Sequence, residues 1–323
     1  MELHGLHHVT AVTGQAQANV NFYTQVLGMR LVKKTVNQDD VSAYHLFYGD
    51  EVGHPGTELT FFEWPRLGPN RNGPGSIAKT WLHVPSLAAL EWWSERLDQR
   101  GVVHQGITDF NGRSVLYLTD PEGQELALVD DGGALGGTPW SKSPVPAQYA
   151  IRGLFASTLI VPQLKPTAFV LTEIMGYQTV TEIASANHFG ERMVVFALDQ
   201  GGAGKELYVV EQTHPPFGQL GIGGVHHIAF RTPNGDEQIA WMERLHRSGL
   251  RTSGLVDRYY FQSLYFRIPG GILFEIATDG PGFATDEPAE HLGERLALPP
   301  FLEPRRAQIE AGLTPVQLPK IQV

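Results

Sequence analysis

Apolar and polar positions along the chain follow one cycle, repeated four times. Each cycle opens with a short apolar run of strand character, at 6–12, 81–84, 155–161 and 225–230. An amphipathic stripe follows. Val20, Tyr23 and Leu27 fall at helical spacing, as do Leu90, Trp93 and Leu97, then Val170 and Ile174, then Trp241 and Leu245. Each stripe runs into a glycine, at Gly28, Gly101, Gly176 and Gly249, with spacings of 73, 75 and 73 residues. Glycine just past a helix end is the residue that accepts left-handed backbone without a Cβ clash. Further strand-like runs close each cycle, for example 44–48 and 59–62 in the first and 263–267 and 272–276 in the last. The pattern predicts four β-α-β-β-β modules, an α+β fold.

A single module has an open sheet, so modules are expected to pair. With 323 residues the chain is long enough for two domains of about 150 residues each. We expect an N-terminal pair of modules over 1–146, a C-terminal pair over 147–283, and a proline-rich arm over 284–323. The Gly/Pro/Ser-rich stretch 132–146 is the expected link. The arm is expected to pack on the body or on a neighbouring subunit of a homo-oligomer.

Composition narrows the chemistry. There is no cysteine and there are 13 histidines. That excludes disulfides, zinc ribbons, iron–sulfur clusters and thiol catalysis, and leaves nitrogen and oxygen ligands for any metal. A net charge of −10 argues against nucleic acid or an anionic membrane as partner. No apolar run approaches the length of a membrane helix, and the first residues lack the pattern of a secretory leader, so the expected location is the cytoplasm.

Two histidine doublets, His7-His8 and His226-His227, open the first strand of modules 1 and 4. Measured from the glycine of each module, the equivalent slots hold His8, Lys79, Ala156 and His227. Near the last strand, Glu275 aligns with Ala127 of module 2, and the matching slot in module 1 falls near Thr60 or Phe61. A glutamate between Phe274 and Ile276 is costly unless paired or metal-bound. His8, His227 and Glu275 therefore form a candidate 2-His-1-carboxylate set, which suits Fe(II) with open positions for substrate and O2; Mn(II) or Zn(II) would fit the same ligands. Alternation along a strand predicts that His7 and His226 face away from the ligands. The remaining nine histidines carry no functional case.

With these residues in place, the chain resembles the vicinal oxygen chelate superfamily of glyoxalases, bleomycin-resistance proteins and extradiol dioxygenases. The strand histidines, the segment from Asn21-Phe22-Tyr23 to Leu27-Gly28-Met29, and the strand ending in Glu275 carry that resemblance. A narrower resemblance spans nearly the whole chain. GLHHVT, VNQDD, YHLFYGD, GVHHIAF, DRYYFQSLYFR, GGILFEIATDGPGF and ALPPFLEPRRAQIE are similar to dioxygenases that open para-hydroquinone rings. The resemblance implies Fe(II) on His8, His227 and Glu275, an aromatic substrate with O2, and supporting roles for His7, His226, Arg258 and Tyr265. Leu264, Tyr265, Pro269, Gly271 and Glu275 fit the extradiol pattern around the carboxylate. Ile268 and Arg258 depart from it, Arg258 standing where that pattern has an acid–base histidine. Arginine cannot shuttle a proton at working pH, but it can steady an anionic ring. Within that implied mechanism, Tyr265 hydrogen-bonds the substrate oxygen, and His7 or His226 handles a proton.

Two rival readings follow from the same fold. A glyoxalase-type isomerase or lyase draws a fourth ligand, which here requires Glu63 to turn inward. A non-catalytic protein that binds small aromatics needs only the cup.

Overall fold

A computed structural model describes residues 1–184 and 192–319. The four modules are present. Module 1 comprises β1 (Leu6–Thr13), α1 (Ala16–Asn21) continued by a wider turn over Phe22–Val26, β2 (Arg30–Val36), β3 (Tyr44–Gly49) and β4 (Glu58–Glu63). Module 2 comprises β5 (Ser76–Val84), α2 (Leu87–Gln99), β6 (Thr108–Phe110), β7 (Arg113–Thr119) and β8 (Glu125–Asp130). Module 3 comprises β9 (Gly153–Val161), α3 (Leu164–Phe169) with a similar wide turn over Val170–Ile174, β10 (Gln178–Ala184), β11 (Arg192–Ala197) and β12 (Glu206–Glu211). Module 4 comprises β13 (Val225–Thr232), α4 (Gly235–Arg247), β14 (Thr252–Asp257), β15 (Phe261–Arg267) and β16 (Leu273–Pro281). All four module glycines have positive φ, between 65° and 84°, as expected of caps. The helical stripes are buried: Tyr23, Trp93 and Trp241 are at most 1% exposed.

The modules do not pair in chain order. Module 1 joins module 4 through antiparallel β1 and β13, giving the strand order β2-β3-β4-β1-β13-β16-β15-β14. Module 2 joins module 3 through β5 and β9. The sheets touch where Ile77 of β5 meets Val225 of β13. The division of the chain at residue 146 thus separates two sequence halves and not the two cups. All four opening strands are apolar and almost wholly buried, so hydrophobic pattern alone does not select which of them meet.

The link 132–146 runs irregularly along module 1. Thr138 N–H donates to Asp50 Oδ2 at 2.9 Å and Ser143 Oγ donates to the Gly28 carbonyl at 2.7 Å. The arm folds back on the same module. Ala297 N–H donates to the Lys34 carbonyl, Leu298, Leu302, Ile309 and Val316 join the main core, and α5 (Arg306–Gly312) lies along the way. Residues 320–323 of the predicted arm lie outside the described residues. At the start of the arm, Phe283 and Leu292 pack with Phe47, Tyr260 and Phe261 inside the module 1–4 cup. Lys33, wholly buried, pairs with Asp286 at 2.7 Å and with Glu287. Among the described residues no helix is long and apolar enough to cross a membrane.

The Lys33 pair fixes the arm against the cup. Lys33→Ala leaves the buried Glu287 with only the exposed Arg295 at 3.6 Å, and we expect a loss of about 3 kcal/mol of unfolding free energy in urea titration. An unchanged midpoint would show that the arm is held by its apolar contacts alone.

Candidate metal centre

The site grows from the pairing of β1 with β13. Their register is symmetric about Val9 and Ile228: His8 faces Ala229 and Thr10 faces His227. The register slips once at each end, between Leu6 and His8 and between Thr10 and Ala11, leaving His7 and His226 each as the extra residue of a bulge. A bulge re-aims a side chain, and here it corrects the expectation from strict alternation. His7 and His226 do not turn away from the ligand candidates but lie edge-on against them, with ring centroids 5.0 Å apart in both doublets.

Three ligand atoms converge in the cup. His8 Nε2 and His227 Nε2 lie 3.3 Å and 2.9 Å from Glu275 Oε2, and 3.3 Å from each other. All three side chains are at most 3% exposed. Glu275 reaches this point because β16 runs parallel to β13, opposite Ala229. Its other oxygen accepts from Ser263 Oγ at 2.5 Å.

The far nitrogens fix the tautomers. His8 Nδ1 lies 3.0 Å from His7 Nδ1, and His7 Nε2 lies 3.1 Å from the Thr278 carbonyl. The carbonyl can only accept, so His7 carries its proton on Nε2 and His8 donates from Nδ1. His8 Nε2 is then a bare lone pair. His227 Nδ1 sits 2.7 Å from His226 Nδ1, which allows the same arrangement. Among the described residues, Glu275 Oε2, wholly buried between these nitrogens, makes no aligned hydrogen bond. Electron-pair donors gathered with no proton between them are what a divalent cation satisfies, so the residues fit a metal.

Electrostatics agree. Burial first, and the neighbouring histidine second, hold both His7 and His226 down at about 3. They are neutral near pH 7, which favours orienting the ligands over exchanging protons. Burial also lowers His227. For Glu275 burial acts upward, and only positive charge at His8 and His227 outweighs it and holds the carboxyl well below its usual range; with both rings neutral, a bound cation would take that part.

A cavity opens beside the ligand set, lined among others by His8, His227, His45, Phe47, Arg258 and Tyr265. Tyr265 pairs with Glu275 across β15 and β16 and its ring stands 5.7 Å from that of His227. Burial raises the Tyr265 hydroxyl above its usual value, so it remains a hydrogen-bond donor. Arg258 donates to Tyr265 Oη at 3.3 Å and to Asp39 Oδ2 at 2.8 Å, bridging module 4 to the module 1 loop at the mouth. Burial opposes its charge, but Asp39 and Tyr265 outweigh that.

Two further residues complete the picture. Glu63 accepts from the Ala16 N–H at the start of α1, so it is not turned toward the ligands as a fourth donor. The module 1 slot opposite Glu275 is Thr60, which pairs with Thr10 as Glu275 pairs with Ala229. His45 was not singled out by the doublet pattern. It lines the cavity with Nε2 3.1 Å from Thr60 Oγ1, and aligning the third strands of modules 1 and 4, not only the first and last, would have exposed it. A second cluster, His7, His8 and Glu58, is also close. Burial, then Asp50, hold the Glu58 carboxyl well above its usual range, so its 3.7 Å approach to the neutral His7 is not an ion pair.

Comparison with known proteins follows from this geometry. The family model described as Glyoxalase/Bleomycin resistance protein/Dioxygenase superfamily matches residues 5–128 and 155–276. The chain belongs to that superfamily. It is 48% identical over 319 residues to "Putative ring-cleaving dioxygenase MhqA" of Bacillus subtilis, covering 98% of this chain and 100% of that one. It is 33% identical over 309 residues to "Chlorohydroquinone/hydroquinone 1,2-dioxygenase" of Sphingobium indicum, covering 93% and 92%. A crystal structure named as a putative dioxygenase from Bacillus subtilis superposes with a TM-score of 0.89 at 38% identity, covering 99% of each chain. Within the superfamily the chain is thus an enzyme of the ring-cleaving dioxygenase class.

Two outcomes test the site. Glu275→Ala should lower bound metal about tenfold or more, by elemental analysis, with the far-ultraviolet circular dichroism of the wild type retained; unchanged metal content would place the ligands elsewhere. For Glu58 the sign runs from the raised folded value. The native state keeps a proton that the unfolded chain releases, so native stability falls as pH rises above about 4.5 toward the raised value. Glu58→Gln should remove that fall, giving a higher melting temperature than wild type at pH 7 and none of the gain near pH 4.

Proposed function

We propose that the chain is an Fe(II)-dependent dioxygenase that opens hydroquinone-type rings with O2. The observation that carries this reading is the ligand set itself. His8, His227 and Glu275 offer three protein donors on one side, and the Thr60 slot opposite Glu275 offers none, which leaves room for exogenous ligands facing the cavity. The named activity of the Sphingobium relative supports the choice of ring.

Bound Fe(II) would supply Lewis-acid and redox chemistry linking ring and O2. The chain's own residues do the rest. His7 and His226 hold the ligand rings in the tautomer that presents Nε2. Ser263 holds one oxygen of Glu275, leaving the other free to ligate. The Tyr265 hydroxyl stands beside Glu275 and His227 and donates to a ring oxygen arriving there. The Arg258 guanidinium, fixed by Asp39, places positive charge on the same side and favours the deprotonated ring. Phe47, Phe62 and Phe261 provide the apolar walls and exclude water.

The direct test is oxygen uptake. Protein reconstituted anaerobically with Fe(II) receives hydroquinone, methylhydroquinone, a chlorohydroquinone or catechol, and O2 is then admitted. We expect one O2 consumed per hydroquinone, with a new absorbance from a ring-opened product and little reaction with catechol. No uptake with any of these, together with tight Zn(II) and indifference to Fe(II), would overturn the reading.

A further inference from the structure

The cavity presents different chemistry on its two sides. The His227 ring has Tyr265 at 5.7 Å on one side and Phe62 at 6.4 Å on the other. Behind Phe62 lies His45, its ring centroid 4.3 Å from that of Phe62 and 3.9 Å from that of Phe47. Strand register makes the correspondence between modules explicit. Phe47 faces Thr60 as Tyr265 faces Glu275, so His45 and Ser263 occupy equivalent positions. The hydrogen bond from Ser263 to Glu275 has its module 1 counterpart in the bond between His45 and Thr60. Where module 4 builds a metal ligand, module 1 builds a held imidazole.

That imidazole is prepared for one contact. Thr60 anchors Nε2 and is itself held by Thr10 at 2.8 Å. Nδ1 makes no hydrogen bond among the described residues, and His45 lines the cavity. The side chains packed around the ring are aromatic. A fixed polar nitrogen beside aromatic faces, in a cavity also lined by Thr35, Asn37 and Gln38, is an arrangement by which a pocket recognises a hydroxyl. Adjacent hydroxyls of a ring lie on one edge, where a single metal ion can take both. A para-diol keeps its second hydroxyl at the far end, beyond reach of the ligand set, and needs another partner there.

We propose that His45 receives the hydroxyl para to the ring oxygen directed at His8, His227 and Glu275, and that this contact selects para-diols. The proposal rests on the hydroquinone reading above. Neutral His45 accepts a hydrogen bond from the hydroxyl at Nδ1 while its Nε2–H donates to Thr60 Oγ1. A ring without that hydroxyl leaves Nδ1 unpaired against an apolar face, which lowers its affinity relative to hydroquinone.

The test uses binding, not turnover. The full chain is loaded with Zn(II) and titrated calorimetrically under argon with hydroquinone and with phenol, as wild type, His45→Phe and His45→Asn. We expect His45→Phe to weaken hydroquinone about five- to tenfold and phenol by less than about twofold, with His45→Asn recovering part of the loss. Equal weakening of both ligands shows that His45 only shapes the wall and overturns the proposal, as does unchanged hydroquinone affinity. Thermal unfolding of both variants identifies any loss of fold, and His45→Asn carries the test where His45→Phe is poorly folded. If wild-type protein neither binds hydroquinone nor consumes O2 with Fe(II), the proposed function itself fails. If wild type binds and reacts while His45→Phe binds equally well, only the His45 assignment fails.

Discussion

The structure depends on one antiparallel contact, that of β1 with β13. It closes the cup between the first and last modules and sets the two ligand candidates in symmetric register. It also carries both bulges. A regular ladder would send the first histidine of each doublet to the other face of the sheet. The bulges instead hold each pair of rings together, so that each outer nitrogen has a partner and each inner nitrogen points into the cup. The same backbone irregularity thus places both the ligand candidates and the groups positioned to orient them.

Such a site is costly to bury. Two imidazoles and a carboxylate enclosed together lose their hydration, and Glu275 Oε2 recovers no aligned hydrogen bond among the described residues. The surrounding fold has to hold them regardless. Phe261 stands 5.2 Å from both His7 and His8, Phe283 braces Phe47, and the Lys33 pair ties the arm that carries Phe283. Stability invested in the arm is therefore expressed in the rigidity of the metal centre, a link between packing and chemistry that runs through the aromatic layer and not through the ligands.

Much of this was legible in the residues. The glycine spacing fixed four modules, and counting back from Gly28 and Gly249 found His8 and His227 in equivalent slots, which strand register bears out. Glu275 stood out because an acid among apolar neighbours on a strand needs a reason. The pairing of modules was not legible, since four equally apolar opening strands carry no label for their partners. The orientation of His7 and His226 was missed because a bulge leaves no mark in an alternation pattern. His45 was missed because its meaning lies in Thr60, its diagonal neighbour across β3 and β4, and only alignment of the third strands of modules 1 and 4 brings that neighbour into view.

The second cup lacks the candidate donors of the first. Modules 2 and 3 repeat the same frame: Lys79 and Ala156 fill the histidine slots, and Ala127 and Tyr208 fill the carboxylate slots. Ala78 and Phe155 stand at the bulge positions. The ligand-bearing space is packed instead with Trp81, Tyr117, Phe155 and Tyr208. Lys79 Nζ sits 4.3 Å from the Tyr117 ring and 3.5 Å from Glu125. A covalently held cation against aromatic faces occupies the slot that in the first cup holds a metal-ligand candidate. One architecture therefore accommodates positive charge in two ways. A lysine yields a packed supporting domain. A set of nitrogen and oxygen donors yields a candidate site that a cation from outside would neutralise.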